Sequence, residues 1–480
     1  MAPPADLRAW IALLEREQEL VRVTAEVDPY LEVTEIVDRT VKSGGPALLF
    51  ERPRGSAHAL LCNQFGSARR MCLAFDAASL DEVGARLAEV LEMQPPEGLV
   101  AKLRGLKQLK SIADSQPRRV RKAACQEVVL RGEEVDLGLL PIVTCWPLDA
   151  APFITLPAVI TRDPHTGQRN VGMYRMQVLG PRETAMHWQL HKDGRADFQA
   201  TTSPRMEVAV ALGLDPVTAY SASAPLPKHI DELTFAGFLR GEAVEVVEGV
   251  SVALEVPANA EIVLEGYVER DERVEEGPFG DHTGFYTDPE PFPVFHLTAM
   301  TMRHDAIYPS IVVGKPPAED AYLGKATERI FLPAIRATVP EIVDYDLPVA
   351  GAFHNCAIVS IRKSYPGQAR KVMHAIWGLG LLALTKMVIV VDAHVDPHDY
   401  AAVAFYVGAN VDPARDVVLT DGPADQLDHA TARQFLGGKL GIDATAKSPA
   451  EGARPWPAEI EMDEATRELV ERRWREYGLG

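Results

Sequence analysis

The stretch Glu276-Gly277-Pro278-Phe279-Gly280-Asp281-His282-Thr283-Gly284-Phe285 holds two carboxylates five residues apart across a Gly-Pro-Phe-Gly turn. A histidine follows the second carboxylate directly. Glycines permit positive φ and close backbone approach. Pro278 fixes one φ angle and removes an amide donor. The pattern predicts a stiff, sharply bent loop that aims two carboxyl groups into one cavity. Paired carboxyl groups in unequal environments divide into an acid and a base. The plainer reading is a β-turn carrying solvated acids.

A second set of chemically capable residues precedes this loop. Asn170-Val171-Gly172-Met173-Tyr174-Arg175 sits where a loop enters a strand. His187 and Trp188 follow in Met186-His187-Trp188-Gln189-Leu190-His191, and Glu232 opens a helical stretch. An Asn carbonyl, a His nitrogen and a Glu carboxylate form a mixed O/N set. Such a set suits a Mn-like or Mg-like ion that also takes phosphate oxygens. No spacing rule links Asn170, His187 and Glu232, and each taken alone reads as a structural residue. Asn170 and Arg175 have opposite parity in a regular strand, so they share a site only if Gly172 bends or bulges it.

Two other patterns carry less. Gly378-Leu379-Gly380-Leu381-Leu382-Ala383 fits GxGxxA, but it ends a predicted helix and precedes a strand, the reverse of a dinucleotide fingerprint. Asp392, His394, Asp396, His398 and Asp399 have metal-ligand types. Alternating residues at a strand end point in opposite directions, so a loop in which Asp396 caps a helix begun by Pro397 is preferred.

The elements that must position these residues fall into regions. A chain of 480 residues is too long for one compact core. Asp6 caps a first amphipathic helix with Leu7, Trp10, Ile11 and Leu14 at helical spacing. Strands over 47–50 and 58–61 and helices over 80–92 and 99–112 complete a small α/β region. The basic run at 117–122 reads as a solvated linker. Short β-branched runs at 128–131, 154–162, 171–179, 208–212, 262–268, 294–302 and 307–313 then predict an all-β barrel or sandwich, with a helical insertion over 231–240. Beyond Gly314-Lys315-Pro316-Pro317 the pattern alternates: helix 322–339, strand 354–361, helix 368–378, strand 387–391 and helix 399–407. That alternation predicts an α/β unit with a partly parallel sheet. A charged amphipathic helix over 462–477 lies beyond it and is expected at a partner subunit.

Composition excludes some classes. A formal net charge of −19 disfavours binding to nucleic acid or an anionic membrane through the overall field. Five cysteines without a CxxC pair predict free thiols in a reducing compartment. No signal peptide is recognisable at the N-terminus, and no apolar run approaches the roughly 20 residues of a spanning helix. The expectation is a soluble, cytoplasmic protein.

With these residues in view, the chain resembles the UbiD family of decarboxylases, which use prenylated FMN. The likeness runs nearly end to end. It is carried by the segments at Asn170, Met186 and Glu232, by Val256-Pro257-Ala258-Asn259-Ala260-Glu261, and by the Glu276 loop. Gly314-Lys315-Pro316-Pro317, Asp412-Pro413-Ala414-Arg415-Asp416 and Gly441-Ile442-Asp443-Ala444-Thr445 add to it. Asp28-Pro29-Tyr30-Leu31-Glu32-Val33 and His354-Asn355-Cys356-Ala357-Ile358-Val359-Ser360 look most like the menaquinone-pathway branch. The resemblance implies an N-terminal α/β domain (1–115), a central split β-barrel that binds the flavin (123–315), a C-terminal α/β oligomerisation domain (318–455) and a terminal helix (456–480). It implies that Asn170, His187 and Glu232 hold Mn²⁺ (or Mg²⁺, with K⁺ a further candidate) on the cofactor phosphate. Met173, Tyr174, Arg175, His187, Trp188, Gln189, Lys192 and Asp193 would line the cofactor, and Lys386 would reach the phosphate. Arg175, Glu276 and Asp281 would form the catalytic network. Some members carry Glu where Asp281 stands, and some carry Arg where His187 stands.

The chemistry agrees with that implication. Losing CO₂ from an aromatic or vinylic carbon leaves electrons that no side chain can accept, so a cofactor must be the sink. Arg175 is expected to hold the substrate carboxylate in its fork. Asp281 is expected to be the proton donor, kept protonated near neutral pH while Glu276 is coupled to Arg175. The partners implied are an aromatic acid, a flavin prenyltransferase that supplies the cofactor, and a second copy of the chain. Two other readings stay open: an FMN-dependent oxidoreductase on a split barrel, and a non-catalytic flavin-binding protein.

Overall fold

The first helix, Leu7–Arg16, forms as its spacing requires: the Asp6 side chain accepts from Ala9 N, and Leu7, Trp10, Ile11 and Leu14 are buried. The computed structural model describes residues 2–91, 113–190 and 192–479, so the helix expected over 99–112 lies outside the described residues. Leu7–Arg16 packs on a four-stranded sheet of Leu20–Val27, Ala47–Pro53, Ala59–Cys62 and Ile307–Pro309. Its last strand comes from the far end of the central region. The basic run is partly built into structure: Arg118–Arg119 pairs with Glu245–Glu248, and both arginines meet acids, Glu245 and Glu255.

The central region is a nine-stranded sheet. Its backbone is the long antiparallel pair Ile262–Glu276 and Glu290–Met302. The strand Arg169–Met173 lies at one end of the strand order, and Met176–Gly180 lies next to the other end. Only Tyr174 and Arg175 separate them in sequence. Strands in a sheet are about 4.8 Å apart, so in a flat sheet these two would stand some 29 Å from each other. Three residue steps span at most about 11 Å. The sheet therefore curls until its two ends meet, and Arg175 is placed in that seam. The run predicted as one strand over 171–179 is broken here, not bulged at Gly172. Gly172 has a different role: a Cβ there would lie 2.1 Å from the Tyr174 hydroxyl, so it makes room for the Tyr174 ring.

The C-terminal region begins with the helix Glu319–Thr338 and a five-stranded sheet. Cys356–Ile361, Met387–Asp392 and Leu436–Asp443 run parallel, with antiparallel strands at both edges. The GxGxxA run ends the helix Gln368–Trp377 and leads into Met387–Asp392, as read. The helix after that strand is capped by Asp399, whose carboxylate accepts from Ala401 N and Ala402 N, not by Asp396. His398 turns instead toward Asp344 and Asp346. Among the described residues, no helix is long and apolar enough to cross a membrane.

Candidate active site

Glu276 is the last residue of its strand, and the turn that follows connects the two longest strands of the central sheet. That turn is held from several sides. Gly277 N donates to Gln177 Oε1 at 2.7 Å, Gly280 N to Asp149 Oδ1 at 2.8 Å, and Phe279 N to Thr287 Oγ1 at 3.2 Å. Gly277 takes φ +98°, which a side chain would strain. Gly280 and Gly314 lie against Trp146: Cβ atoms there would come within 2.2 and 2.6 Å of its ring. The Trp146 indole is fixed by donating to Val313 O at 2.8 Å. Glycines in two distant motifs thus serve one tryptophan.

Arg175 enters from the seam and binds both carboxylates. Its Nε donates to Glu276 Oε1 at 2.8 Å and its Nη2 to Glu276 Oε2 at 3.1 Å. Nη1 donates to Asp281 Oδ2, and Nη2 also reaches Thr287 Oγ1 at 3.3 Å. The guanidinium lies 4.5 Å from the Phe279 ring centroid. The loop and the seam strand were expected to converge, and they do. Arg175's fork, expected to hold a substrate carboxylate, is bonded here to Glu276.

The expectation of a neutral Asp281 is also corrected. Burial pushes the Asp281 carboxyl up, but the hydrogen bond and charge of His282, then Arg175, outweigh burial and hold it well below the usual carboxylate range. Burial acts on Glu276 in the same way, and Arg175 and His187 hold it at about 2. Arg175 lowers both acids, with His282 acting first on Asp281 and His187 adding to the effect on Glu276. The protonated group beside them is His282, raised to about 9 against burial by its hydrogen bond to Asp281.

Two members of the predicted metal set lie beside Tyr174, and the third is bonded to Glu276. Val171 N donates to Glu232 Oε2 at 2.9 Å, the Asn170 Nδ2 donates to Thr161 Oγ1 at 3.1 Å, and the Tyr174 hydroxyl accepts from Gly194 N. His187 has Nδ1 3.0 Å from Glu276 Oε2 and its ring on Phe292. Burial and the Arg175 charge lower its pKa. The neutral ring donates from Nδ1, because the carboxylate only accepts. Its buried Nε2 then carries a lone pair without a partner among the described residues.

Met173, Tyr174, Arg175, His187, Gln189 and Lys192 line a cavity of about 750 Å³. Trp188 is buried behind the wall against Phe198. Asp193 opens the short helix Asp193–Ala200. Lys386 is paired with Asp428 at 2.7 Å. Sequence reading missed Asp149, Gln177 and Thr287, which fix the loop. It also missed His354, whose Nε2 is 2.7 Å from His282 Nε2. No spacing signal marks them, since each comes from a different element.

A buried arginine joined to two carboxylates lines a large, mostly apolar cavity. Comparison with known proteins gives the class. Family models described as the 3-octaprenyl-4-hydroxybenzoate carboxy-lyase N-terminal, Rift-related and C-terminal domains match residues 11–89, 118–316 and 321–444. An uncharacterized protein of Archaeoglobus fulgidus is 55% identical over 476 residues, covering 98% of each chain. Among solved structures, the UbiD-class enzyme HmfF from Pelotomaculum thermopropionicum, in complex with FMN, matches at 30% identity and TM-score 0.80, covering 96% of this chain and 98% of that one. The closed form of Sedimentibacter hydroxybenzoicus vanillic acid decarboxylase matches at 25% identity and TM-score 0.87, covering 99% of both chains. The chain belongs to the UbiD family, and it is an enzyme of that carboxy-lyase class.

Proposed function

We propose that the protein decarboxylates an aromatic or α,β-unsaturated carboxylic acid bearing a long apolar substituent, reversibly and without net oxidation, as a step in quinone biosynthesis. The observation that carries the apolar part is the lining of the cavity. It includes Arg175 and Asp281 and runs along the helix Glu319–Thr338 from Asp320 through Leu323, Phe331 and Ile335 to Thr338. At 1.5 Å per residue that wall is roughly 27 Å long. The cofactor would take the part lined by Met173, Tyr174 and Lys192, and a small aromatic acid beside it would leave the apolar wall uncovered. An isoprenoid-type tail would replace water along the remainder.

The central sheet is read as a split barrel holding prenylated FMN, supplied by a flavin prenyltransferase. HmfF has been solved with both FMN and prFMN, which supports that assignment. When bound, the cofactor supplies the electron sink. The residues present fit the group. Burial pushes the Glu232 carboxyl to about 7, and no cation pairs with it among the described residues. A divalent ion of the Mn²⁺ or Mg²⁺ type, held by Glu232 and the Asn170 carbonyl, would remove that mismatch and meet a phosphate. The unpartnered Nε2 of His187 is a further lone pair for the cofactor or its ion. Arg175 bonds both Glu276 and Asp281, His282 adds to the hold on Asp281, and Asp281 is read as the proton donor to the reacting carbon. An oxidoreductase would need a dinucleotide site, and the only GxGxxA is a helix end. A flavin carrier would not need the Arg175 network.

Protein co-produced with a flavin prenyltransferase is expected to hold a divalent metal and to release CO₂ from prenylated hydroxybenzoates faster than from the bare acid. Glu232→Ala should lose the metal and retain less cofactor by absorbance. Full metal occupancy in that variant would remove Glu232 from the site.

We also propose that the protein is at least a homodimer joined through its C-terminal region. The helix Tyr400–Asn410 is apolar on all sides, yet only Val403 is buried; Phe405 is 64% exposed, and Leu419 on the adjoining edge strand is 79% exposed. The helix Glu464–Arg473 buries no residue of its own, and Ile460, Met462, Leu469 and Trp474 around it are exposed. Apolar faces of this extent call for a partner, and a second copy covers the same patch on both chains. Light scattering of a chain ending before Pro455, and of Phe405→Asp, is expected to show smaller particles. Unchanged assembly in both would place the interface elsewhere.

A further inference from the structure

His282 links two regions of the chain that the arginine network does not connect. Its Nδ1 is 2.8 Å from Asp281 Oδ1, and its Nε2 is 2.7 Å from His354 Nε2. An ionised carboxylate only accepts, so Nδ1 carries a proton. Two imidazole nitrogens in contact must share one proton between them. His354 comes from the loop between the C-terminal strands Ile342–Asp346 and Cys356–Ile361. Phe353, from the same loop, packs on the His282 ring with centroids 5.1 Å apart. The charged groups facing the pair are Asp281, Asp320 and Asp425 on the acidic side, and Arg175 and Lys192 on the basic side.

That balance settles where the shared proton resides. Burial and the neighbouring His282 charge hold His354 at about 4. Burial also works against charge on His282, but Asp281 outweighs it. His282 is thus the doubly protonated ring, and His354 is neutral and accepts at Nε2. Within the hydrogen-bonded network itself, Arg175 and His282 then stand against Glu276 and Asp281.

We propose that His282 stores the proton that Asp281 delivers to the carbon losing CO₂, and that His354 is the positioning residue that keeps His282 doubly protonated. The inference rests on the decarboxylase reading. In the step, the His282 Nδ1–H bond breaks and an O–H bond forms on Asp281. That O–H bond then breaks as a C–H bond forms at the carbon left by CO₂, using the electron pair of the broken C–C bond. Asp281 is a carboxylate again, and His282 is neutral with its remaining proton on Nε2. One proton from water restores it, so each turnover consumes one proton and releases one CO₂. The contact exists only where the C-terminal loop meets the central one.

The sign of the pH effect follows. A histidine raised to about 9 is charged at neutral pH, so turnover is lost as pH rises through about 9. Its contribution to stability is full below about pH 6.5 and is lost over the same rise.

The test uses the full chain. Hydrogen–deuterium exchange at imidazole C2, read by peptide mass spectrometry, gives individual histidine midpoints and needs neither cofactor nor substrate. His282 should titrate far above the ordinary range, and in His354→Ala its midpoint should fall. His354→Gln, which restores an acceptor oxygen, should bring it back. In cofactor-loaded protein, His282→Asn keeps a donor facing Asp281 but has no acidic proton, so kcat for a prenylated hydroxybenzoate should drop about 10²-fold with little change in KM. In His354→Ala the alkaline limb of the kcat profile should move to lower pH, and in His354→Gln it should return. An ordinary His282 midpoint, or wild-type turnover by His282→Asn, overturns the inference. A loaded wild type that releases no CO₂ from any acid instead overturns the decarboxylase reading, and the midpoints still judge the histidine pair.

Discussion

Arg175→Lys is expected to lower turnover by at least about 10³-fold, although charge and approximate size are kept. The guanidinium makes two bonds to Glu276, one to Asp281 and one to Thr287. A lysine ammonium is a single point of charge with three donors on a flexible stem. It can reach one carboxylate but cannot hold both in register. The carboxyl it leaves keeps only its histidine partner, so its pKa rises. Glu276, held at about 2 by Arg175 and His187, would then climb. CO₂ release from cofactor-loaded protein measures the loss. Because Arg175 also lines the cavity, cofactor absorbance is read on the same preparation and turnover is expressed per bound cofactor. Near-normal turnover in Arg175→Lys would show that the fork is dispensable.

Asp281→Asn should be the next most damaging change, at about 10²–10⁴-fold in kcat. The amide is nearly isosteric and can still sit between Arg175 and His282. It cannot take a proton from His282 Nδ1 and pass it on. Asp281 is 7% exposed and accepts three hydrogen bonds from His282 and Arg175; the amide oxygen can accept from only one of these two sides, so cofactor occupancy is read beside turnover, and the defect should appear in kcat more than in KM. The variant also removes one buried negative charge, so the neighbouring His282 should titrate lower than in wild type. Turnover equal to wild type in Asp281→Asn would place the proton donor elsewhere.

The proposed catalytic residues were legible in the sequence for a physical reason. Glu276 and Asp281 sit on one turn, where Gly277 and Pro278 constrain the backbone locally, so their proximity needs no tertiary information. Arg175 required more. Its approach depends on a curled nine-stranded sheet whose ends meet at Tyr174 and Arg175, and strand order is a long-range property that periodicity cannot report. For that reason the run over 171–179 read as one strand. Protonation states were less legible still. Two carboxylates suggested one acid and one base, but each meets Arg175 and a histidine, His187 at Glu276 and His282 at Asp281, and these lower both acids. His354 could not be found by spacing, since it lies 72 residues from His282 and enters from another sheet. For His187 the resemblance implied a metal-ligand role, and its bond through Nδ1 to Glu276, which leaves Nε2 open, was not legible in the sequence.

The central claim is that Arg175, Glu276 and Asp281 serve non-oxidative decarboxylation at the polar end of an apolar cavity. The most direct test is turnover of a prenylated hydroxybenzoate in D₂O, by protein made with a flavin prenyltransferase and by protein made without one. The account predicts that the loaded protein releases one CO₂ per product, with a single deuterium at the carbon that bore the carboxylate and no reduced or oxidised nicotinamide consumed. Protein made without the prenyltransferase should be inactive. Equal CO₂ release by both preparations, or product formed only when a nicotinamide cofactor is added, would contradict it.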